Sequence, residues 1–400
     1  MNDERFFGLA YWARLAFAGV DLIPARDFLL ARLARNDGDA NALLDLSIVL
    51  QLMGQRQLGL QMQTLALQVQ SLFQIQPKGG PASVRLLAFL SPGDLSENNA
   101  IEFLLEGSDV ALDLLYVAPD LPLPSSLPDH DLAMVAVCET DRNRQLLRHI
   151  EGLVESWPRP LICAPQRIAR LSRDGLCRLL RSAPGLMVPI TARVDRAGLD
   201  GNHPVPFPII VRPVDSQKGQ GLRKLDGPAA VASYLETRPE KEFYAAPYFD
   251  YGSPDGLFRK YRIVLIDGHP YACHMAISDH WMVHYISAGM GTNAAKRAEE
   301  ARFFADFDHE FAFRHRDALA TIASQLELEY VGIDCGETAD GDLLVFEADS
   351  GMTIHSMDPV DLYPYKRPQM QKVFRAFRQM LLNHAGSTAG AHQTVVVLES

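Results

Sequence analysis

The chain has 400 residues, 48% of them hydrophobic and 22% charged, too many for one ordinary domain and apolar enough for two or three packed cores. Lys and Arg number 38 against 49 Asp and Glu, a formal net charge of −11, which argues against a phosphate backbone or an anionic lipid surface as the main partner, so no nucleic acid and no membrane are expected. Cys138, Cys163, Cys177, Cys273 and Cys335 are scattered and never spaced C-x-x-C, which fits reduced thiols in a cytoplasmic protein better than a disulfide framework or a zinc site.

Residues 6–23 are the most apolar stretch near the N-terminus. Arg14 and Asp21 interrupt it and Asp3 and Glu4 precede it, so an amphipathic helix is expected rather than a signal peptide or a membrane span. Residues 1–80 contain no strand-like run and are expected to be helical. Apolar Leu43, Leu46 and Leu50, with small Ser47, Gly59 and Ala66 about a turn at Gly54, describe two helices in close approach. The segment resembles one degenerate tetratricopeptide repeat. Two readings stay open for it: a surface for a protein partner, or a plain helical cap on the next domain.

Residues 77–81 are a Pro/Gly linker. Strands then alternate with helices over residues 83–165: strands at 84–90, 111–117, 132–138 and 161–163, a helix from Ser96 to Glu106 and another over 141–156. This is the pattern of a small parallel α/β domain. Residues 166–384 read as α+β, with a hairpin around 217–221, strands at 261–266 and 271–277, a helix ending near Leu326, a hairpin over 330–348 and a last helix opened by Pro368. The tail, 385–400, carries no assignment.

The most informative stretch is 330–351. Two strand-like runs meet at Asp340-Gly341, a two-residue type I′ turn dipeptide. Counting back from that turn sets Asp334 opposite Glu347, and alternation puts Asp349 on the same face as Glu347. Like charges directly opposite are unfavourable unless neutralised. Oxygen donors suit Mg²⁺, or Mn²⁺, so Asp334, Glu347 and Asp349 are a candidate metal set; an acidic solvated sheet face is the plainer alternative. Upstream, a strand bearing Arg212 runs into Asp215-Ser216-Gln217-Lys218-Gly219-Gln220-Gly221, a flexible loop whose N–H groups can wrap a polyphosphate, or else an ordinary hairpin turn.

Together these stretches resemble the ATP-grasp superfamily, which includes glutathione synthetase, D-alanine–D-alanine ligase and the ribosomal-protein glutamate ligases. PIIVRPVDSQKGQGL (208–222) is similar to its strand and glycine loop, FYAAPYFDY (243–251) to the strand and hinge behind the adenine, and VGIDCGETADGDLLVFEADSG (331–351) to its metal-binding hairpin. The resemblance implies an α+β ATP-grasp fold preceded by the parallel α/β domain and the N-terminal helical, tetratricopeptide-like domain. It implies ATP phosphates on Arg173 and Arg212 under Lys218, Gly219 and Gly221, adenine beside Tyr248 and Phe249, and Mg²⁺ on Asp334, Glu347 and Asp349. Arg262, with Arg212, would face the reacting groups. Arg173 and Arg212 stand where the family usually has lysine, and Asp349 where it usually has asparagine. Arginine keeps the charge and binds phosphate bidentately.

The activity so implied is ATP- and Mg²⁺-dependent ligation of a carboxylate to an amine, the substrates being small molecules or a peptide. Arg259, Lys260, Arg262 and His274 suit an anionic first substrate, or are an exposed strand end. His280 and His284 have helical i, i+4 spacing, but without a further metal-binding partner they read better, with Trp281, Tyr285 and Ser287, as substrate-pocket lining. Two rivals remain: a phosphotransferase on the same cleft, and a non-catalytic nucleotide-binding interaction module.

Overall fold

The structure, a computed structural model, describes residues 4–77, 80–201, 205–216 and 219–386. Four helices open the chain: α1 (Leu9–Phe17), α2 (Ile23–Arg35), α3 (Ala40–Leu52) and α4 (Arg56–Val69). α3 is apolar nearly all round and buried from Ala42 to Leu50, as such a helix must be. α4 lies close against it: a Cβ at Gly59 would come within 2.8 Å of the Ser47 carbonyl oxygen, so the close approach expected from the small residues is present.

α1 has no side-chain cap of its own. Asp45 of α3 instead accepts from Phe7 N (2.9 Å), Gly8 N (3.0 Å) and Trp12 Nε1 (2.8 Å). Glu102 of the short helix α5 (Ile101–Leu104) accepts from Leu9 N (3.0 Å) and Ala10 N (2.8 Å). Two carboxylates thus satisfy the orphan N–H groups at the positive end of α1. Burial pushes each of them up to about 7, against the hydrogen bonds that they accept. α5 is shorter than the helix expected from Ser96, because Asn98 folds back on the Ser91 backbone, at 2.7 and 2.8 Å, and holds the preceding residues as a loop.

The expectation that residues 1–80 contain no strand is corrected. β1 (Leu72–Ile75) adds antiparallel to β3 (Val110–Tyr116), next to β2 (Val84–Leu90), β4 (Leu132–Val135) and β5 (Leu161–Ile162), which are parallel, in the order β1-β3-β2-β4-β5. Four residues are too few for alternation to show, yet Phe73 is 1% exposed. One continuous apolar core runs from Trp12 and Leu29 through this sheet to Phe377, so packing crosses the boundary expected at residue 80.

Two further sheets follow. β7 (Ala192–Asp195), β8 (Ile209–Pro213), β9 (Arg223–Leu225) and β10 (Glu242–Pro247) form an antiparallel sheet, β7-β10-β8-β9, around its own small core of Ile209, Val211, Val231 and Phe243. β11 (Phe258–Ile266), β12 (His269–Ser278), β13 (Tyr330–Glu337) and β14 (Leu343–Asp349) form the larger sheet, β12-β11-β13-β14-β6, with β6 (Leu186–Met187) added parallel at its edge. The last helix, Lys366–Gly386, has Pro368 in its first turn and packs on β11 and β12 and also on β2 and β4. No helix among the described residues is long and apolar enough to cross a membrane, and all five cysteines are free and buried.

The α1 anchor generates a prediction with a definite sign. An acid whose pKa is raised in the folded state contributes stability fully present below its ordinary value, near 4, and lost as pH rises through about 7. Thermal midpoints of the parent protein and of the Asp45→Asn/Glu102→Gln double variant should therefore diverge most at about pH 4, less at about pH 5.5 and least at about pH 8. A separation that does not change with pH would mean that folding shifts the pKa of neither acid.

Candidate active site

The hairpin β13–β14 reaches the expected pairing by an unexpected route. Its turn has three residues, Ala339, Asp340 and Gly341, with Thr338 N donating to Asp342 O (3.0 Å), Gly341 N donating to Thr338 O (3.0 Å) and Gly341 at φ 88°. That turn alone would shift the register by one. A bulge at Phe346 restores it: Cys335 pairs with Val345, but Asp334 pairs with Glu347 and Gly332 with Asp349. A second bulge, at Cys273, sets His274 opposite Arg262, which itself pairs with Asp334. The result is one row across four strands: His274, Arg262, Asp334, Glu347.

Asp334, 1% exposed, accepts from Arg262 Nε (2.7 Å) and Nη2 (3.0 Å) and is paired with Lys260 Nζ at 2.7 Å. Burial works to raise its pKa, but Arg262 and Lys260 outweigh it and hold the group far below the usual carboxylate range. Glu347 is paired with Arg173, which also donates to the Phe346 carbonyl (3.1 Å) that the bulge presents; burial notwithstanding, Arg173 keeps Glu347 below its ordinary value. Asp349 accepts only from Gly351 N (2.8 Å) among the described hydrogen bonds, and burial pushes it up to about 6.

These groups line one cavity of about 1000 Å³ between the sheets. Arg212 projects into it from β8, held by Ser216 Oγ (3.0 Å) and the Ser216 carbonyl. It makes no ion pair among the described residues, and burial, then the neighbouring Arg173, pushes its pKa down to about 9. It stays charged at neutral pH, a cation without its own anion. Gly219 lines the same space, with φ 71°. Gly221, at φ 69°, stands just outside, where a Cβ would meet Pro213 Cδ at 2.6 Å and its carbonyl accepts from Tyr234 Oη (2.7 Å). Lys218 lies outside the described residues. Tyr248 and Phe249 form an aromatic end with Trp281, whose ring is 5.8 Å from that of Tyr248; Lys224 Nζ sits 4.0 Å over the Tyr248 ring.

Lys260, Arg262 and His274 all line the cavity, whereas Arg259 points away to Asp255 (2.7 Å) and Glu299 (2.5 Å). The segment with His280 and His284 is not helical, so the i, i+4 spacing that suggested a transition metal does not arise. His284, Trp281, Tyr285 and Ser287 are cavity lining, as expected, whereas His280 is not among the lining residues. Sequence reasoning missed Glu139, His355, Asp358, Lys366 and the α1 residues Leu9, Ala13 and Phe17, which line the cavity too. No spacing or motif marks them, since they arrive from three separate segments.

Among the described residues no group of three or more His, Cys, Asp or Glu side chains is arranged to hold a metal ion. The expected set of three is therefore revised. Asp334 has both oxygens on cations, while Glu347 and Asp349, two apart on one strand face, each keep an oxygen outside the described hydrogen bonds. Mg²⁺ is commonly held by one or two carboxylates together with substrate phosphates, and this pair fits that role.

No protein-family model matches the chain, and no curated protein matches it. Among solved structures the chain is similar to a D-alanine–D-alanine ligase from Bacillus anthracis complexed with ATP (15% identity, 78% of this chain and 100% of that one, TM-score 0.46). It is also similar to the RimK domain ATP-grasp protein from Sphaerobacter thermophilus (16%, 75% and 99%, TM-score 0.40) and to the D-alanine–D-alanine ligase from Coxiella burnetii (10%, 76% and 97%, TM-score 0.46).

The ion-pair cluster makes its own prediction. Asp334→Asn leaves Arg262 and Lys260 facing each other without an anion and should destabilise the fold by about 3–5 kcal/mol, as removal of one partner of a buried pair does. Chemical denaturation in the presence of EDTA checks it. An unchanged midpoint there would mean that Asp334 and its two cations contribute no net stability.

Proposed function

We propose that the protein is an ADP-forming carboxylate–amine ligase of the ATP-grasp type. The observation that carries this reading is Arg212: a charged side chain without an ion-pair partner among the described residues, open to the cavity that the carboxylate hairpin also lines. A half-buried cation short of a counter-ion favours an anion beside it, and next to Arg173 and Gly219 the phosphates of ATP would supply one. Tyr248, Phe249 and Trp281 offer the flat apolar surface that a nucleobase stacks on.

In the proposed reaction a substrate carboxylate oxygen takes the γ-phosphoryl group, ADP leaves, an amine nitrogen attacks the acyl carbon, inorganic phosphate departs and the nitrogen loses its proton. Arg262 and Lys260 together carry one charge more than Asp334 cancels, which suits them to hold the anionic carboxylate in line. Arg173 and Arg212 stabilise charge that builds up during phosphoryl transfer. Mg²⁺, held by Glu347 and Asp349, would supply further neutralisation of phosphate charge. The small sheet, with its separate core, contributes Arg212 and the following Gly219 to the cavity lining, and its closing on bound nucleotide would keep water from the acyl phosphate.

Incubation with ATP, Mg²⁺, hydroxylamine and a pool of small carboxylates tests this. The expected products are ADP and a hydroxamate, with Glu347→Gln and Arg212→Met each at least about a hundredfold slower. Arg212→Met should keep its fold, since no ion pair is broken. A stable phosphoester in place of the hydroxamate would mean a phosphotransferase, and ATP binding without ADP release with any carboxylate would mean a non-catalytic module.

A further inference from the structure

The cavity continues past the row of charges to an end that the nucleotide reading does not use. Its floor is built around Lys366, the first residue of the last helix and 4% exposed. Lys366 Nζ lies 3.5 Å from Glu300 Oε1 and 3.5 Å from Asp358 Oδ2, contacts the Tyr285 hydroxyl and sits over the Tyr285 and Tyr363 rings at 4.0 and 4.5 Å. Glu300 is completely buried and its acceptor positions are filled: Met275 N (3.1 Å) and Lys366 on one oxygen, Tyr285 Oη (3.0 Å) and Tyr365 Oη (2.7 Å) on the other. A carboxylate so surrounded is the natural partner of the equally buried Lys366. Asp358, partly exposed and lining the cavity, shares Lys366 with Glu300 at the same 3.5 Å, so with both acids ionised the cluster carries one negative charge more than its cation cancels.

The wall above it comes from α1. Leu9, Ala13 and Phe17 recur every four residues, form one stripe of that helix and line the cavity. Phe17 and Phe103 lie 5.1 and 6.3 Å from the ring of His355, three residues before Asp358. Arg14 of α1 is paired with Glu106, which also accepts from Ser356 Oγ (3.2 Å). α1 is therefore fastened both at its N-terminus and to the segment that carries Asp358.

We propose that this end of the cavity is the amine subsite, that Asp358 receives the substrate ammonium, and that α1 is the specificity wall for an apolar side chain beside it. The substrate class that this chemistry selects is an α-amino acid or peptide amino terminus with a bulky aliphatic or aromatic side chain. The proposal rests on the ligase reading for its place in the reaction, but the subsite itself is testable without turnover. His355 belongs to the same wall: its Nδ1 accepts from Met357 N (3.2 Å), so in the neutral ring Nε2 carries the hydrogen and acts as a donor.

Calorimetric titration of the whole protein with three probes separates the contributions. Leucinamide has both the ammonium and the side chain, glycinamide only the ammonium, and 4-methylpentanamide only the side chain. Leucinamide should bind at least about tenfold more tightly than either of the others. Phe17→Ala should bring leucinamide and glycinamide to within about threefold, because the apolar contact is gone. Asp358→Asn should bring leucinamide and 4-methylpentanamide to within about threefold, because the charge is gone. ATP binding in the same samples reports that each variant is folded. Equal binding of the three probes to the parent, or ratios that neither substitution moves, would overturn the subsite even if ADP and hydroxamate are formed. Leucinamide discrimination without any ADP release would keep the subsite and overturn the ligase reading instead.

Discussion

Everything at the centre of this molecule depends on how two carboxylates, Asp334 buried and Glu347 half-buried, come to face each other. Asp334 and Glu347 are direct cross-strand partners, an arrangement that repels unless positive charge is brought close. The fold brings it from two directions. β11 supplies Arg262 and Lys260 on one side, and the helix Arg173–Leu180 supplies Arg173 on the other. Each cation is fixed by the carboxylate that it neutralises, so the row holds its side chains in place before any ligand arrives. Such preorganisation is what an electrostatic site needs, because the orienting cost is met during folding.

The row was half legible in the sequence, and the reason is instructive. The pairing of Asp334 with Glu347 follows from counting back through a two-residue turn at Asp340-Gly341. The turn is in fact one residue longer, and Phe346, as a bulge, takes up the difference. Two departures from regularity cancel at the positions that carry the charge. A bulge has no sequence signature of its own, so the count could not have shown it, and neither could it show Cys273 doing the same on β12. What the count also lacked was the cations: Lys260 and Arg262 were visible as a basic pair, but their commitment to Asp334 is set by sheet order, β11 beside β13, which no local pattern reports.

The N-terminal helices show a different limit. Small residues in two apolar stretches announced a helical hairpin, and Gly59 against Ser47 bears out the close approach. The Pro/Gly stretch after residue 76 suggested a boundary there, because linker composition is a local signal. Whether packing crosses a linker depends on long-range partners: Asp45 and Glu102 at the start of α1, and Phe73 in a strand of four residues. The helical segment before that stretch contributes to one core and lines the cavity.

Taken along its length, the cavity is graded in charge, and the grading has an order that chemistry can use. At one end Arg212 is positive without an ion-pair partner among the described residues. In the middle Arg262 and Lys260 exceed Asp334 by one charge, while Arg173 cancels Glu347. At the far end one cation, Lys366, is shared by two carboxylates, Glu300 and Asp358. Under the proposed reading, a polyphosphate, a carboxylate and an ammonium each find the sign opposite to their own, in the sequence in which phosphoryl transfer and then amine attack would call on them. Net charge says nothing of this. A chain with an excess of acids can still offer anions a base that has no ion-pair partner among the described residues, and an amine a carboxylate that only shares its cation, because partners in space, and not composition, decide which charges remain to be answered.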